Sequence, residues 1–160
     1  MRPAVEMKGN EEVEALLQQL AQRAQEMRPA MEEIGNYLQN VIEESFESGR
    51  APDGTVWTPL ADSTLDRKHR DGGMQSMGKL LYEEGTLFEG IGYDADGSSV
   101  AVGVNAYSKE GYPYPVVLNF GTEDGKLPAR RFMPFDENGE LDDNVREEVV
   151  DLLVDFLSEG

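Results

Sequence analysis

The chain has 160 residues, with 32 acidic and 14 basic side chains, a formal net charge of −18, no cysteine and one histidine, His69. Disulfides and thiolate chemistry are therefore excluded, and so strong a negative charge disfavours attraction to nucleic acid. This length fits one domain spanning residues 1–160, and without a long apolar run we expect no membrane span and a cytoplasmic protein. No motif calls for a cofactor or a metal.

Two amphipathic helices are predicted first. An N-terminal helical arm, residues 1–28, carries an apolar stripe at three-and-four spacing. Pro29 predicts a kink or a fresh helix start, and a second stripe runs from Met31 to Phe46 until Gly49 supplies a left-handed stop. We expect both stripes to bury against the core or a neighbouring chain. The residues of the first stripe are Val13, Leu16, Leu17, Leu20, Ala24 and Met27.

Residues 50–79 are predicted to form a long basic loop. Pro52, Asp53 and Gly54 are typical of a turn, and the only tryptophan, Trp57, is expected to anchor the loop to the fold. A short helix is predicted from Ala61 to Lys68, and the Gly72-Gly73 pair favours mobility. The basic residues of this loop that we single out are Arg67, Lys68 and Arg70.

A small antiparallel sheet and a C-terminal helix complete the prediction. Val100, Val102 and Val104 alternate with small residues, and Asp96-Gly97 is expected to supply the turn of a hairpin. "PVVLNFG" predicts a helical turn from Pro115 to Gly121. An amphipathic helix is predicted over residues 142–158, with Asn144 and Glu147 spaced as a capping box. The fold class is therefore α+β.

The stretch "FGTEDGKLPARRFMPF", residues 120–135, is the least ordinary. Its adjacent arginines suggest an anion site, but neighbours in an extended segment point to opposite faces. We therefore expect at least one of them to pair with a carboxylate instead. Phe120 and Phe132 are expected to be apolar anchors. The candidate interaction residues are Arg67, Lys68, Arg70, Lys126, Arg130 and Arg131.

The ordered blocks "FESGRAPDGTVWTPLADST", "LLYEEGTLFEGI", "VAVGVN", "VVLNFGT" and "LPARRFMPFDENGEL" resemble the phage virion morphogenesis family of tail-completion proteins. The chain departs from that pattern at Arg131, where many relatives have a proline. The resemblance implies a structural protein without catalysis that completes or terminates a tail, or joins it to a head, as a ring of identical copies. The matching positions with a structural role are Trp57, Pro59, Gly85, Phe120, Gly121, Pro128 and Phe132.

The charge distribution agrees with self-association. Residues from Asp136 to Gly160 include ten acidic side chains and one basic one, Arg146. Basic residues gather at "DRKHRD" and "KLPARR", so the acidic surface of one copy can meet the basic surface of the next. The expected partners are the chain itself and the tail tube, tail terminator or head-tail connector proteins, in the virion and in the bacterial host cytoplasm.

Two other functions stay open at this point. An acidic inhibitor that mimics DNA would explain the net charge, if its carboxylates are arrayed on one exposed face. A hydrolase would need either His69, the single histidine of the sequence, or a carboxylate pair in a cleft. Pull-down of a nuclease or repressor, and the phenotype of His69→Ala, would separate these two from the structural role.

Overall fold

The computed structural model describes residues 11–59, 89–105 and 114–159. Within these ranges the order of elements is α1 (Glu11–Gln25), α2 (Arg28–Ser48), β1 (Ile91–Ala95), β2 (Val100–Val104), α3 (Tyr114–Phe120) and α4 (Asp143–Ser158). Helices at both ends and a two-stranded antiparallel sheet between them confirm the predicted α+β class. The predicted helix from Ala61 to Lys68 lies outside the described residues, as does the rest of the basic loop beyond Pro59.

Helix α2 is the centre of the fold. It begins at Arg28 with Pro29 in its first turn, and it ends at Gly49, whose φ of 69° places it in the left-handed region. The stop at Gly49 was predicted, because glycine accepts a left-handed conformation, and of the kink and the fresh start predicted at Pro29 the structure has the fresh start. The apolar face of α2 packs on the hairpin and on α4.

The hairpin pairs Ile91 with Val104 and Ala95 with Val100. Its turn lies where it was predicted, but its geometry is held by Asp96, whose carboxylate accepts the backbone N–H groups of Ser98 and Ser99 at 2.8 and 2.7 Å. These hydrogen bonds lower the pKa of Asp96. The turn therefore depends on an aspartate side chain rather than on a left-handed glycine.

Two apolar clusters lie along α2. One surrounds Ile42, Phe46, Trp57 and Phe132, all at most 4% exposed. The rings of Phe46 and Phe132 lie 4.9 Å apart. The other cluster joins α2 to Val145 of α4, which is fully buried.

None of the residues of helix α1 is buried. Val13, Leu16 and Leu17 are 48%, 52% and 59% exposed. The second half of α1 is held against α4: Gln19 Nε2 donates to Glu159 O, and the Arg23 guanidinium donates to Phe156 O and lies over its ring. The core of the chain therefore does not bury the first half of this stripe, and its burial against a neighbouring chain stays a prediction.

The capping box predicted for α4 is wrong. The residue that caps the helix is Asp142, and Asn144 lies inside the first turn. The Asn144 Nδ2 group donates to Pro52 O at 2.9 Å instead of capping its own helix. Asn144 therefore joins α4 to the turn that follows α2.

Candidate interaction surface

The segment from Asn119 to Phe135, which we call the arginine corner, leaves α3 through a tight turn. Gly121 has a φ of 74°, and its N–H donates to Val117 O at 2.7 Å. A Cβ atom at Gly121 would lie 2.7 Å from Ala129 N and 2.8 Å from Leu127 O. Only glycine fits here, because the left-handed backbone and the close approach both exclude a side chain.

The loop that follows closes on itself. Thr122 N donates to Leu127 O, and the Asp124 carboxylate accepts from the Thr122 hydroxyl at 2.7 Å and from Lys126 N at 3.0 Å. These hydrogen bonds, first of all the one from Lys126 N, lower the pKa of Asp124. Lys126 itself extends from the loop with its side chain 87% exposed.

Asn119 was missed by the sequence reasoning, although it stands out as an amide within the apolar run "PVVLNF". It is 2% exposed, and its Oδ1 accepts the backbone N–H groups of Phe132 and Met133 at 2.9 and 3.0 Å. Its Nδ2 is buried without a hydrogen-bond partner. Asn119 thus holds the chain at the point where Phe132 enters the core.

Arg130 lies inside the protein, only 5% exposed. Its Nε donates to Thr58 O at 2.9 Å and its second terminal nitrogen donates to Pro59 O at 3.1 Å. Burial lowers the pKa of Arg130, yet a guanidinium keeps its charge in proteins. Arg130 therefore fixes the backbone that leads into the basic loop.

Arg131 reaches the other side of the segment. One terminal nitrogen lies 2.8 Å from Asp142 Oδ2, and the other lies 3.2 Å from Asp53 Oδ2. It also donates to Met133 O and Phe135 O, each at 3.1 Å. The predicted pairing of one arginine with a carboxylate is confirmed, and the different partners of the two arginines agree with the expectation that they do not clamp one anion.

The contacts of Asp53 lower the pKa of its carboxyl group. Its carboxylate accepts the Thr55 backbone N–H at 2.9 Å and faces the Arg131 guanidinium. The hydrogen bond from Thr55, followed by the charge of Arg131, lowers the pKa of Asp53. Arg131 therefore joins three segments: the turn after α2, the arginine corner and the first turn of α4.

The residues expected to carry the structural motif have different positions. Trp57 is 4% exposed and anchors the chain as predicted, whereas Pro59 is on the surface and contributes its carbonyl oxygen. Phe120 is 48% exposed, so its expected role as an apolar anchor is wrong. The reason is its helical phase, since on α3 the neighbouring Asn119 faces inward. Pro128 is half-buried, and Gly85 lies outside the described residues.

The corner brings together Arg130, Arg131, Trp57, Gly121 and Phe132, but not every candidate residue. Arg67, Lys68 and Arg70 lie outside the described residues, and so does His69 of the hydrolase hypothesis. In the described part of the chain, no group of three acidic or histidine side chains could hold a metal ion. Of the helices seen in these ranges, none has the length and apolarity that crossing a bilayer requires.

The described residues carry mostly acidic charge, and several large apolar side chains are exposed among them. These ranges carry 25 acidic and 7 basic residues, a difference of 18, and the rest of the sequence carries seven of each. The basic side chains here are engaged: Arg146 pairs with Asp143, and Lys126 lies 4.0 Å from Asp124. Large exposed apolar residues outside α1 include Val56, Val116, Phe120, Val150 and Val154. Such a surface suits binding to other proteins more than chemistry on a small molecule.

Comparison with known proteins agrees with a surface that binds other proteins. The model of the phage virion morphogenesis family matches residues 9–158, nearly the whole chain. No curated protein and no solved structure gives a significant match. The chain therefore belongs to the phage virion morphogenesis family, which gives it a role in phage virion assembly and other virion components as partners.

Proposed function

We propose that this chain completes or terminates the phage tail, or joins the tail to the head, as a structural subunit that performs no catalysis. It assembles as a homo-oligomeric ring in the bacterial host cytoplasm and then becomes part of the virion. Family membership supports an assembly role, and the arginine corner supplies a rigid support for contacts with neighbouring proteins.

The observation that carries this proposal is the way Arg130 holds the start of the basic loop. The Arg130 guanidinium is fixed in place, because it donates to both Thr58 O and Pro59 O and the residue is only 5% exposed. The chain leaves this support at Pro59 and reaches Arg67, Lys68 and Arg70 within about ten residues. A basic segment whose base is held by the fold is presented to a partner at a lower entropic cost.

The charge distribution supports contact between copies. The described residues account for the full net charge of −18, whereas the remaining residues are neutral overall and include the basic cluster of the loop. In a ring, the basic loop of one copy then lies against the acidic body of the next. Such a contact is heterologous and closes when the rotation between copies divides a full turn.

Arg131 and Lys126 have different parts in this proposal. Arg131 keeps 19% of its side chain exposed while it holds Asp142 and Asp53, so it shapes the contact surface. Lys126 is the exposed cation of the corner and can reach a carboxylate of a neighbouring protein.

Electron microscopy of lysates tests the assembly role. A phage or prophage that lacks this chain is expected to accumulate unjoined heads and tails, or tails of abnormal length, and a plasmid copy should restore intact particles. Normal particles at normal yield in the absence of the chain would overturn the proposal.

Sedimentation velocity tests the ring. The wild-type chain, alone or with tail components, should form a closed oligomer that disperses when Arg67, Lys68 and Arg70 are replaced together by glutamine. Arg28→Gln, at an exposed arginine whose guanidinium donates to Ala95 O of its own chain, should leave the oligomer intact, because a single exposed charge contributes little. A species that stays monomeric at high concentration under both conditions would contradict the ring.

A further inference from the structure

The first half of α1 presents an apolar face that the described fold does not cover. Leu16 lies on the same line of the helix as Leu20 and Arg23, which face the body of the protein, yet Leu16 is 52% exposed. The side-chain hydrogen bonds that the structure describes from α1 to α4 come from Gln19 and Arg23. The stripe thus continues for more than one turn beyond its support, with Val13 and Leu17 48% and 59% exposed.

The exposed apolar stripe of α1 favours binding of a partner, because packing this face would stabilise the helix. A helix of 15 residues is marginal in water unless an apolar face is packed. The acidic residues of the first turn interact favourably with the helix dipole, which accounts for their position. The dipole does not account for the three exposed apolar side chains beside them. An exposed stripe rimmed by charge is typical of a site where another protein packs.

The charges around the stripe identify the partner. At 100° per residue, Glu12 and Glu14 lie on opposite sides of the line through Val13 and Leu16. A second copy of α1 would bring these carboxylates against their equivalents, on a surface that already carries the whole net charge. Like charges across an interface cost affinity, whereas opposite charges favour binding.

We propose that the exposed half of α1, residues Glu11 to Gln18, binds a basic amphipathic helix of a different protein. The partner's apolar residues pack on Val13, Leu16 and Leu17, and its lysines or arginines face Glu12 and Glu14. This deepens the proposed function, because it gives the chemistry of one virion component that the subunit recognises, and it rests on that function for the identity of the partner.

The test uses the full-length protein and synthetic helical peptides in fluorescence anisotropy. The probe has leucines at i, i+3, i+4 and i+7 with lysines elsewhere; one control peptide has serines in place of the leucines, and another has glutamates in place of the lysines. The Leu/Lys peptide should bind, and both control peptides should bind at least about tenfold more weakly, since each lacks one half of the recognition.

Two variants locate the site on α1. Leu16→Gln with Leu17→Gln should weaken binding of the Leu/Lys peptide about tenfold, whereas Val116→Gln, at a valine of similar exposure on α3, should leave it unchanged. Glu12→Lys with Glu14→Lys keeps the apolar stripe and should transfer the preference to the Leu/Glu peptide. The second variant keeps the test decisive if the first loosens α1.

Specific outcomes overturn the proposal. Equal binding of the Leu/Lys peptide to the wild type and to the Leu16 and Leu17 variant would place the site elsewhere. Sedimentation showing that this variant breaks up an oligomer, with no peptide bound by the wild type, would make a second copy the occupant. Both results are independent of particle assembly, so a failure here is distinguishable from a failure of the assembly role in lysates.

Discussion

The indole Nε1 of Trp57 donates a hydrogen bond of 2.8 Å to the backbone carbonyl oxygen of Arg131, 74 positions further along the chain. The same indole lies edge-on to Phe46, with 6.0 Å between ring centroids. One side chain therefore joins the end of α2, the start of the basic loop and the arginine corner. The anchoring role of Trp57 therefore rests on one hydrogen bond and one aromatic contact, and their loss can be measured as a loss of stability.

Trp57→Phe is expected to lower the free energy of unfolding by about 1–3 kcal/mol, because it leaves Arg131 O without its donor and reduces the buried volume. Urea unfolding followed by circular dichroism measures the change. Val56→Ala, at a neighbouring valine that is 63% exposed, should change the stability by less than about 0.5 kcal/mol. Equal effects of the two substitutions would show that Trp57 is not an anchor.

Gly121→Ala should be far more damaging than Gly125→Ala. The two glycines have nearly the same φ, 74° and 73°, but a Cβ atom at Gly121 would meet Ala129 N at 2.7 Å, whereas one at Gly125 meets nothing within 4 Å. We expect a cost of about 1 kcal/mol at Gly125 for the left-handed backbone, and about 2–4 kcal/mol at Gly121. Thermal unfolding of both variants checks this, and similar melting temperatures would count against the tight turn.

Arg131→Met is expected to cost about 3 kcal/mol, because Asp142, whose side chain is only 8% exposed, would lose its partner. Lys126→Met, which removes an exposed pair, should cost less than about 0.5 kcal/mol. A double-mutant cycle with Asp142→Asn should show that the second substitution relieves part of the first loss. Strict additivity in that cycle would mean that the ion pair contributes nothing.

The lowered pKa of Asp53 predicts a pH dependence. A carboxyl whose folded pKa lies below its unfolded value, about 3.9, contributes stability above that value and loses it as the pH falls through the folded pKa. Because the Asp53 side chain is 43% exposed, the contribution should be below about 1 kcal/mol. Asp53→Asn should therefore be less stable than the wild type at pH 7, and the difference should shrink as the pH falls below about 4 and through the folded pKa of Asp53. A difference that stays constant down to the lowest pH at which the protein remains folded would rule out this cause.

Local patterns predicted the elements of the fold well. Three-and-four spacing identified α1, α2 and α4, and Pro29 and Gly49 marked both ends of α2, because these signals act within one or two turns of helix. The capping box failed because α4 begins at Asp143, so that Asn144 lies within its first turn, where its Nδ2 donates to Pro52 O.

The candidate site was less predictable, because its contacts join distant segments. Extended geometry predicted that the side chains of Arg130 and Arg131 point to opposite faces. Their partners could not be predicted, because Thr58, Asp53 and Asp142 reach them only through the packing of α4 and of the turn after α2. Asn119 was missed for the same reason: its two acceptor contacts lie 13 and 14 residues away.

In vitro complementation tests the central claim most directly, namely that the chain acts as a structural subunit in completing or joining the tail. Purified protein is titrated into an extract of a phage that lacks it, and infectious particles are counted. The account predicts that infectivity rises with the protein added and saturates once there are enough copies to give each particle its ring. No rescue, or full rescue by far fewer molecules than particles, would contradict a structural role.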